Sequence, residues 1–360
     1  MNDAASSDRQ ITYAQAIREG LDIAMERDRR VYLMGLGVPD PVGVFGTTRG
    51  LLEKHGAKRV LDMPIAENAM TGVALGSALV GMRPVMTHMR LEFAMTALDQ
   101  ICNQAGKWRY MFGGQSAIPL TIRMIVGRGW GQGPQHSQSL HAWFSHIPGL
   151  KVVAPATPYD VKGLLIASIE DDNPVVFIEH RWLYGLHGSV PEGHYTVPLS
   201  KSRVMRAGED VTLVGSSYAT LDAMKAAAIL EEQGIQAEVI DVRTLSPRDD
   251  QPILESVRKT GRIIVVDQGH QTCGYAADIV AVVVERAFSA LKAAPARVAL
   301  PDIPTPTTRA LSNYYYPTPR HIVAAVRKAL GLDHDADPFS QIAPADKTRD
   351  VPDKSFTGPF

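Results

Sequence analysis

Apolar and polar positions along the chain follow two periods in turn. A polar opening, MNDAASSDRQ, gives way at Thr12 to YAQAIREGLDIAMERD, where Ala14, Ile17, Leu21 and Ala24 recur at helical spacing. Thr12 stands where an N-cap belongs. RVYLMGLG (30–37) is a short apolar run ending in glycine and predicts a strand buried on both faces. RVLDMP (59–64), RPVMTHM (83–89), PLTIRMIVG (119–127), KVVAPATPYD (151–160) and PVVFIEH (174–180) predict further strands. ENAMTGVALGSALVG (67–81), FAMTALDQICNQAGKWRYMFGG (93–114) and YDVKGLLIASIEDD (159–172) carry the helical period between them. Strands alternating with helices predict a parallel α/β sheet covered on both faces.

The period is lost over LYGLHGSVPEGHYTVPLSKSRVMRAGED (183–210), a stretch of Gly, Pro and Ser. A second α/β pattern follows, from VTLVGSS through AEVIDVRTL and RIIVVDQG to ARVAL, and closes with the helix PRHIVAAVRKAL. Beyond it Asp333, Asp335, Asp337, Asp346, Asp350 and Asp353 stand among prolines, with few large apolar residues to build a core. The expected fold is α/β with two doubly wound domains. The division is a flexible N-terminus at 1–10, a first domain at 11–185, a linker at 186–207, a second domain at 208–330 and an acidic, proline-containing tail at 331–360.

Charge and composition narrow the picture little. With 360 residues, 45% of them hydrophobic, and a net charge of −1, the chain has the make-up of a soluble globular protein and no basic surplus for nucleic acid or anionic membranes. The longest apolar run, IVAVVV (279–284), is far too short to span a bilayer. The opening residues lack a signal-peptide core. Cys102 and Cys273, far apart, suit a reducing compartment. The expected location is the cytoplasm.

Candidate chemistry begins with Glu67. A carboxylate between PIA and a Gly/Ala/Ser-rich helix is expected to be buried, and a buried carboxylate needs a partner. It either faces the helix dipole or serves as an acid–base group toward a ring nitrogen. GRGWGQGPQHSQSLHAWFSHIPG (127–149) has glycines at 127, 129, 131 and 133, a loop whose backbone can approach a ligand. It is neither a dinucleotide fingerprint nor a phosphate-binding Walker loop. His136 follows it directly, and His141 and His146 come at five-residue steps, which do not suit zinc on one helix face. His136 is the better acid–base candidate. Phe93 starts a helix just after a strand end, where ligands of parallel sheets gather. Asp241 and Asp267 also end strands, where capping and catalysis are both open. Cys273 is read as packing.

Several blocks then occur in a shared order: GVFGTTRGLLEKHGAKRVLDMPIAENAMTGVALGSALVGMRPV, QHSQSLHAWFSHIPGLKVVAPATPYDVKGLL, DDNPVVFIEH and VIDVRTLSP. In these the chain resembles, over roughly residues 11–330, the beta subunits of thiamine-diphosphate-dependent 2-oxo acid dehydrogenases of the pyruvate, branched-chain and acetoin type. The resemblance implies a transketolase-like pyrimidine-binding domain followed by a transketolase C-terminal-like domain. It implies that Glu67 hydrogen-bonds N1′ of the cofactor's aminopyrimidine, that Phe93 packs on that ring and that Met89 lies near it. His136 matches the histidine that assists acyl transfer to a lipoyl group. SIEDDNP matches a loop that binds potassium in some members, which would involve Ile169, Asp171 and Asn173. The chain contains no Gly-Asp-Gly. The resemblance therefore implies an alpha subunit carrying the Gly-Asp-Gly…Asn motif, which supplies the Mg2+ and diphosphate ligands in an α2β2 heterotetramer, and a lipoyl acyltransferase core as the acceptor. Departures occur at Leu36, where an acidic residue is usual, in RMIVGRGWGQGPQ, and in MTHMRLEF, which replaces a more Phe-rich block. They give weight to an alternative, a carboligase or acyltransferase subunit that adds a decarboxylated two-carbon unit to a sugar or other carbonyl acceptor.

Overall fold

Backbone geometry follows the local signals closely at the start of the first domain. Thr12 caps the helix Tyr13–Arg27 in a reciprocal box with Gln15. Thr157 caps Pro158–Glu170, with proline in the first turn. These two helices pack together on one face of the first sheet, and Lys162 of the second reaches Glu19 of the first at 2.6 Å. The computed structural model describes residues 9–129 and 131–332. The first eight residues and the expected tail from 333 onward lie outside the described residues.

The first half contributes strands β1 (Gln10–Thr12), β2 (Val31–Gly35), β3 (Val60–Leu61), β4 (Arg83–His88), β5 (Thr121–Val126), β6 (Lys151–Val153), β7 (Val175–His180) and β8 (His187–Ser189). The second contributes β9 (Arg203–Arg206), β10 (Val211–Gly215), β11 (Ala237–Asp241), β12 (Thr244–Ser246), β13 (Ile263–His270) and β14 (Ala296–Leu300). A seven-stranded sheet runs in the order β12-β6-β7-β5-β4-β2-β3, and a five-stranded sheet in the order β14-β13-β10-β11-β9. The pairs are parallel except at β12 with β6 and β9 with β11. This is the expected pair of α/β units, with helices on both faces.

The expected division differs at three points. Residues 9 and 10, expected in the flexible start, are ordered, because Gln10 pairs with Ser189 in the β1–β8 ribbon and Arg9 pairs with Glu19. The expected linker has strands at both ends, β8 and β9. Beyond that, β12 of the second half crosses back to extend the first sheet. The reason is apolar burial. One continuous core runs from Met86, Ile122 and Ile178 of the first sheet to Val214, Ile240 and Val265 of the second. The two sheets therefore share a core, with separate clusters on their outer faces.

The single helix expected over 93–114 is a chain of shorter pieces. Leu91–Ala94 is α-helical, Met95–Ala97 is 3₁₀, Asp99–Ala105 is a π turn and Gly106–Met111 is α-helical again. The irregularity lets the backbone at Gly106 meet that at Gly149. A Cβ on Gly149 would lie 1.8 Å from the Gly106 carbonyl oxygen, and Gly149 has φ of +95°.

Candidate active site

The carboxyl end of β4 opens the site. After His88 the chain turns through Met89 and Arg90 into the helix Leu91–Ala94, which carries Glu92 and Phe93. The Phe93 ring meets His136 edge-on, with ring centroids 5.2 Å apart and planes at 87°. Glu92 ties the same helix to the histidine loop, since its Oε1 accepts the Gln138 N–H at 2.6 Å. Its Oε2 is buried without a hydrogen-bond partner. Burial pushes the Glu92 carboxyl above the usual range, against the Gln138 N–H and the charges of Arg90 and Arg181. Arg90 donates to Gly127 O at 3.1 Å and to Gln132 Oε1 at 2.5 Å, holding the glycine loop over the strand end.

Glu67 begins the helix Glu67–Leu79, and no side chain caps that helix at Ala66. Its carboxylate therefore stands at an open, positively polarised N-terminus. One turn later Thr71 Oγ1 lies 3.3 Å from His88 Nε2, linking this helix to β4. His88 is buried, its Nδ1 has no partner, and burial lowers its pKa to about 4. It is a neutral imidazole.

The structure thus brings Phe93 and His136 together and places Met89, half-buried, against the core of the first domain. Glu67 differs from expectation. It is half-buried, because Pro64, Ile65, Asn68 and Ala69 around it all face outward, with Ile65 80% exposed. The glycine loop also differs, in that it is packed by protein. A Cβ on Gly133 would lie 2.6 Å from Thr307 Oγ1 of the second domain. Asp241 lies away from this mouth and pairs with Thr220, whereas Asp267 meets His141 across the domains at 2.9 Å.

The potassium expectation is corrected. The carbonyls of Ile169 and Asp171 both accept from Arg83 Nη1, at 3.1 and 3.2 Å. The Asp171 carboxylate pairs with Lys151 and accepts from Asn173 Nδ2, while Asn173 Oδ1 accepts from Arg109 at 2.6 Å. These donors already serve three side-chain cations, and the residues as arranged do not fit a metal ion. Nor do three His, Cys, Asp or Glu side chains converge elsewhere among the described residues.

His88, Arg90 and Glu92 were missed as site residues. The signal was present in MTHMRLEF, which places three polar groups at the end of a strand otherwise buried on both faces. Their partners, Thr71, Gly127, Gln132 and Gln138, stand 17 to 46 positions away in sequence, and no local period reports them.

Two family models match the chain: the transketolase pyrimidine binding domain over residues 9–186 and the transketolase C-terminal domain over residues 200–322. A solved split-gene transketolase, an inactive beta4 tetramer, superposes with a TM-score of 0.73 at 25% identity, covering 89% of this chain and 99% of that one. Fold and family models together define a transketolase-type α/β protein of a thiamine-diphosphate-dependent family. The beta subunit of acetoin:2,6-dichlorophenolindophenol oxidoreductase from Cupriavidus necator is 46% identical over 89% of this chain and 98% of its own length. The pyruvate dehydrogenase E1 component subunit beta of Rickettsia felis is 41% identical over 89% of this chain and 98% of its own. The chain belongs to the beta subunits of the thiamine-diphosphate-dependent 2-oxo acid dehydrogenases. No helix among the described residues is long and apolar enough to cross a membrane.

Proposed function

We propose that this chain supplies the pyrimidine-side half of a thiamine diphosphate site, completed by an alpha subunit that carries Gly-Asp-Gly…Asn and the Mg2+ ligands in an α2β2 assembly. The observation that carries the reading is the open mouth itself. A carboxylate, Glu67, stands uncapped at a helix N-terminus beside an exposed Ile65, and an aromatic–imidazole pair, Phe93 and His136, stands past the end of β4, two strands over from β3 in the same sheet. The residues present fit an aminopyrimidine. Glu67 offers an acceptor, Phe93 a flat apolar wall, and Glu92 Oε2 and His88 Nδ1 are buried polar atoms without partners.

Thiamine diphosphate, when bound, supplies the carbon nucleophile and electron sink for decarboxylation of a 2-oxo acid. Glu67 holds a proton at N1′ of the aminopyrimidine. Its exposed flank is where a partner subunit closes the site, and closure would strengthen that hydrogen bond by lowering the local dielectric. Phe93 and Met89 orient the ring. His136 exchanges a proton during acyl transfer to the lipoyl group of an acyltransferase core, and Glu92 holds the loop that presents it. Two free cysteines, Cys102 and Cys273, agree with work in the cytoplasm. The carboligase alternative is not favoured, since the relatives above are dehydrogenase and oxidoreductase subunits. Glu67→Gln in the assembled enzyme tests the reading. Turnover should fall on the order of 10² to 10⁴-fold, the scale of a lost general acid–base group, with assembly intact. Undiminished turnover would overturn it.

A further inference from the structure

The loop that carries His136 is held from both domains. On one side Glu92 accepts the Gln138 N–H at 2.6 Å. On the other, His141 opens the helix His141–Ser145 and its Nε2 lies 2.9 Å from Oδ1 of Asp267, a residue inside β13 in the second sheet. The approach is off the line of an ideal hydrogen bond, so the two side chains meet at contact distance without ideal alignment. Both residues are buried, at 6% and 7% exposure.

The surroundings of Asp267 leave it little freedom. Its Oδ1 also accepts the Gly269 N–H at 2.8 Å and its Oδ2 the Ala276 N–H at 2.9 Å. A Cβ on Gly269 would lie 3.3 Å from both His141 Cε1 and the Ser139 carbonyl oxygen, so the second domain abuts the loop directly. The Tyr275 ring packs edge-on to His141 with centroids 5.8 Å apart, and its hydroxyl is anchored on Leu245 O at 2.8 Å. Burial pushes the Asp267 carboxyl up, but the charge of His141 and the two backbone N–H groups outweigh it and hold the carboxyl below the usual range. The group is an anion aimed at the loop.

We propose that Asp267, acting through His141, is a positioning residue that fixes His136 against Phe93. The inference rests on the role given to His136 above. Gln138 and His141 are the two fixed points, and the segment from His136 to His141 is too short to let the imidazole wander once both are held. The second domain, which carries none of the cofactor-binding residues, thereby acts on the chemistry. A misplacement of about 1 Å is enough to cost on the order of 10²-fold in rate.

The test is a double-mutant cycle in the assembled enzyme. Asp267→Asn keeps an acceptor for at least one backbone N–H and removes the charge. His141→Gln cuts the link from the loop side while Asp267 keeps both backbone bonds, so it remains informative if Asp267→Asn fails to fold. The readouts are kcat, KM for the 2-oxo acid, and thiamine diphosphate affinity from the change in circular dichroism on binding. The expected result is a roughly tenfold or greater fall in kcat for acyl transfer, with KM and cofactor affinity little changed. In a His136→Ala background neither substitution should lower kcat further. Losses that multiply with His136→Ala, or a fall in cofactor affinity as large as that in kcat, would overturn the proposal. Failure of the wild-type assembly to bind thiamine diphosphate would instead contradict the function proposed above, so the two failures are distinguishable.

Discussion

Asp241 ends β11 with its Oδ1 accepting from Thr220 Oγ1 at 3.0 Å and its Oδ2 buried without a partner. Burial, with the charge of nearby Asp160 added, pushes its carboxyl up to about 8. A carboxyl raised in this way favours the folded state while protonated. Its contribution is fully present below the ordinary carboxylate range and is lost as pH rises toward about 8. Chemical denaturation across pH 5 to 8.5 should show stability declining with pH, by at most about 1.4 kcal/mol per unit from one proton. Asp241→Asn should flatten that slope, and an unchanged slope would place the proton elsewhere. Glu67 is the opposite case. It keeps an open side, where the proposed site would be closed by a partner subunit, and Glu67→Gln should silence turnover without disturbing assembly. Glu67 and Phe93 stood out as candidates because each falls in the first turn of a helix, and His136 because it follows the glycine loop. Arg83 was not readable as the partner of Ile169 and Asp171, because a side chain 86 and 88 positions away answers those carbonyls.

At the scale of elements, the apolar period located strands and helices well where each packs against one neighbour. It was less informative where two elements meet through backbone. The Gly106–Gly149 contact is such a place, and it lies where the expected helix over 93–114 runs as α, 3₁₀ and π pieces. Gly149→Ala should destabilise the fold by about 1–3 kcal/mol or more, since the new methyl meets a carbonyl oxygen and the residue keeps a positive φ. A thermal-unfolding midpoint unchanged by Gly149→Ala would show that the helix can shift away. The strand β12 was hidden for a different reason. It is three residues long and pairs with β6, a strand more than 90 positions earlier. Nothing local in TLS marks such a partner.

For the whole molecule, the shared core has a consequence. Met86 and Ile122 of one sheet belong to the same apolar cluster as Val214 and Val265 of the other, so the two α/β units should unfold together. Tryptophan fluorescence and far-ultraviolet dichroism should report one coincident transition, and two separated transitions would contradict the joined core. The same joining lets the second domain, through Asp267, hold a loop of the first. The proposed cofactor site lies half in this chain and half on a partner. Titrating thiamine diphosphate with Mg2+ into the purified chain, alone and after reconstitution with an alpha subunit, in a calorimeter distinguishes a half site from a whole one. Expected are weak or unmeasurable binding to the chain alone, tight stoichiometric binding to the reconstituted assembly, and loss of that binding when Phe93→Ala and Glu67→Ala are combined. Tight stoichiometric binding by the chain alone would contradict it.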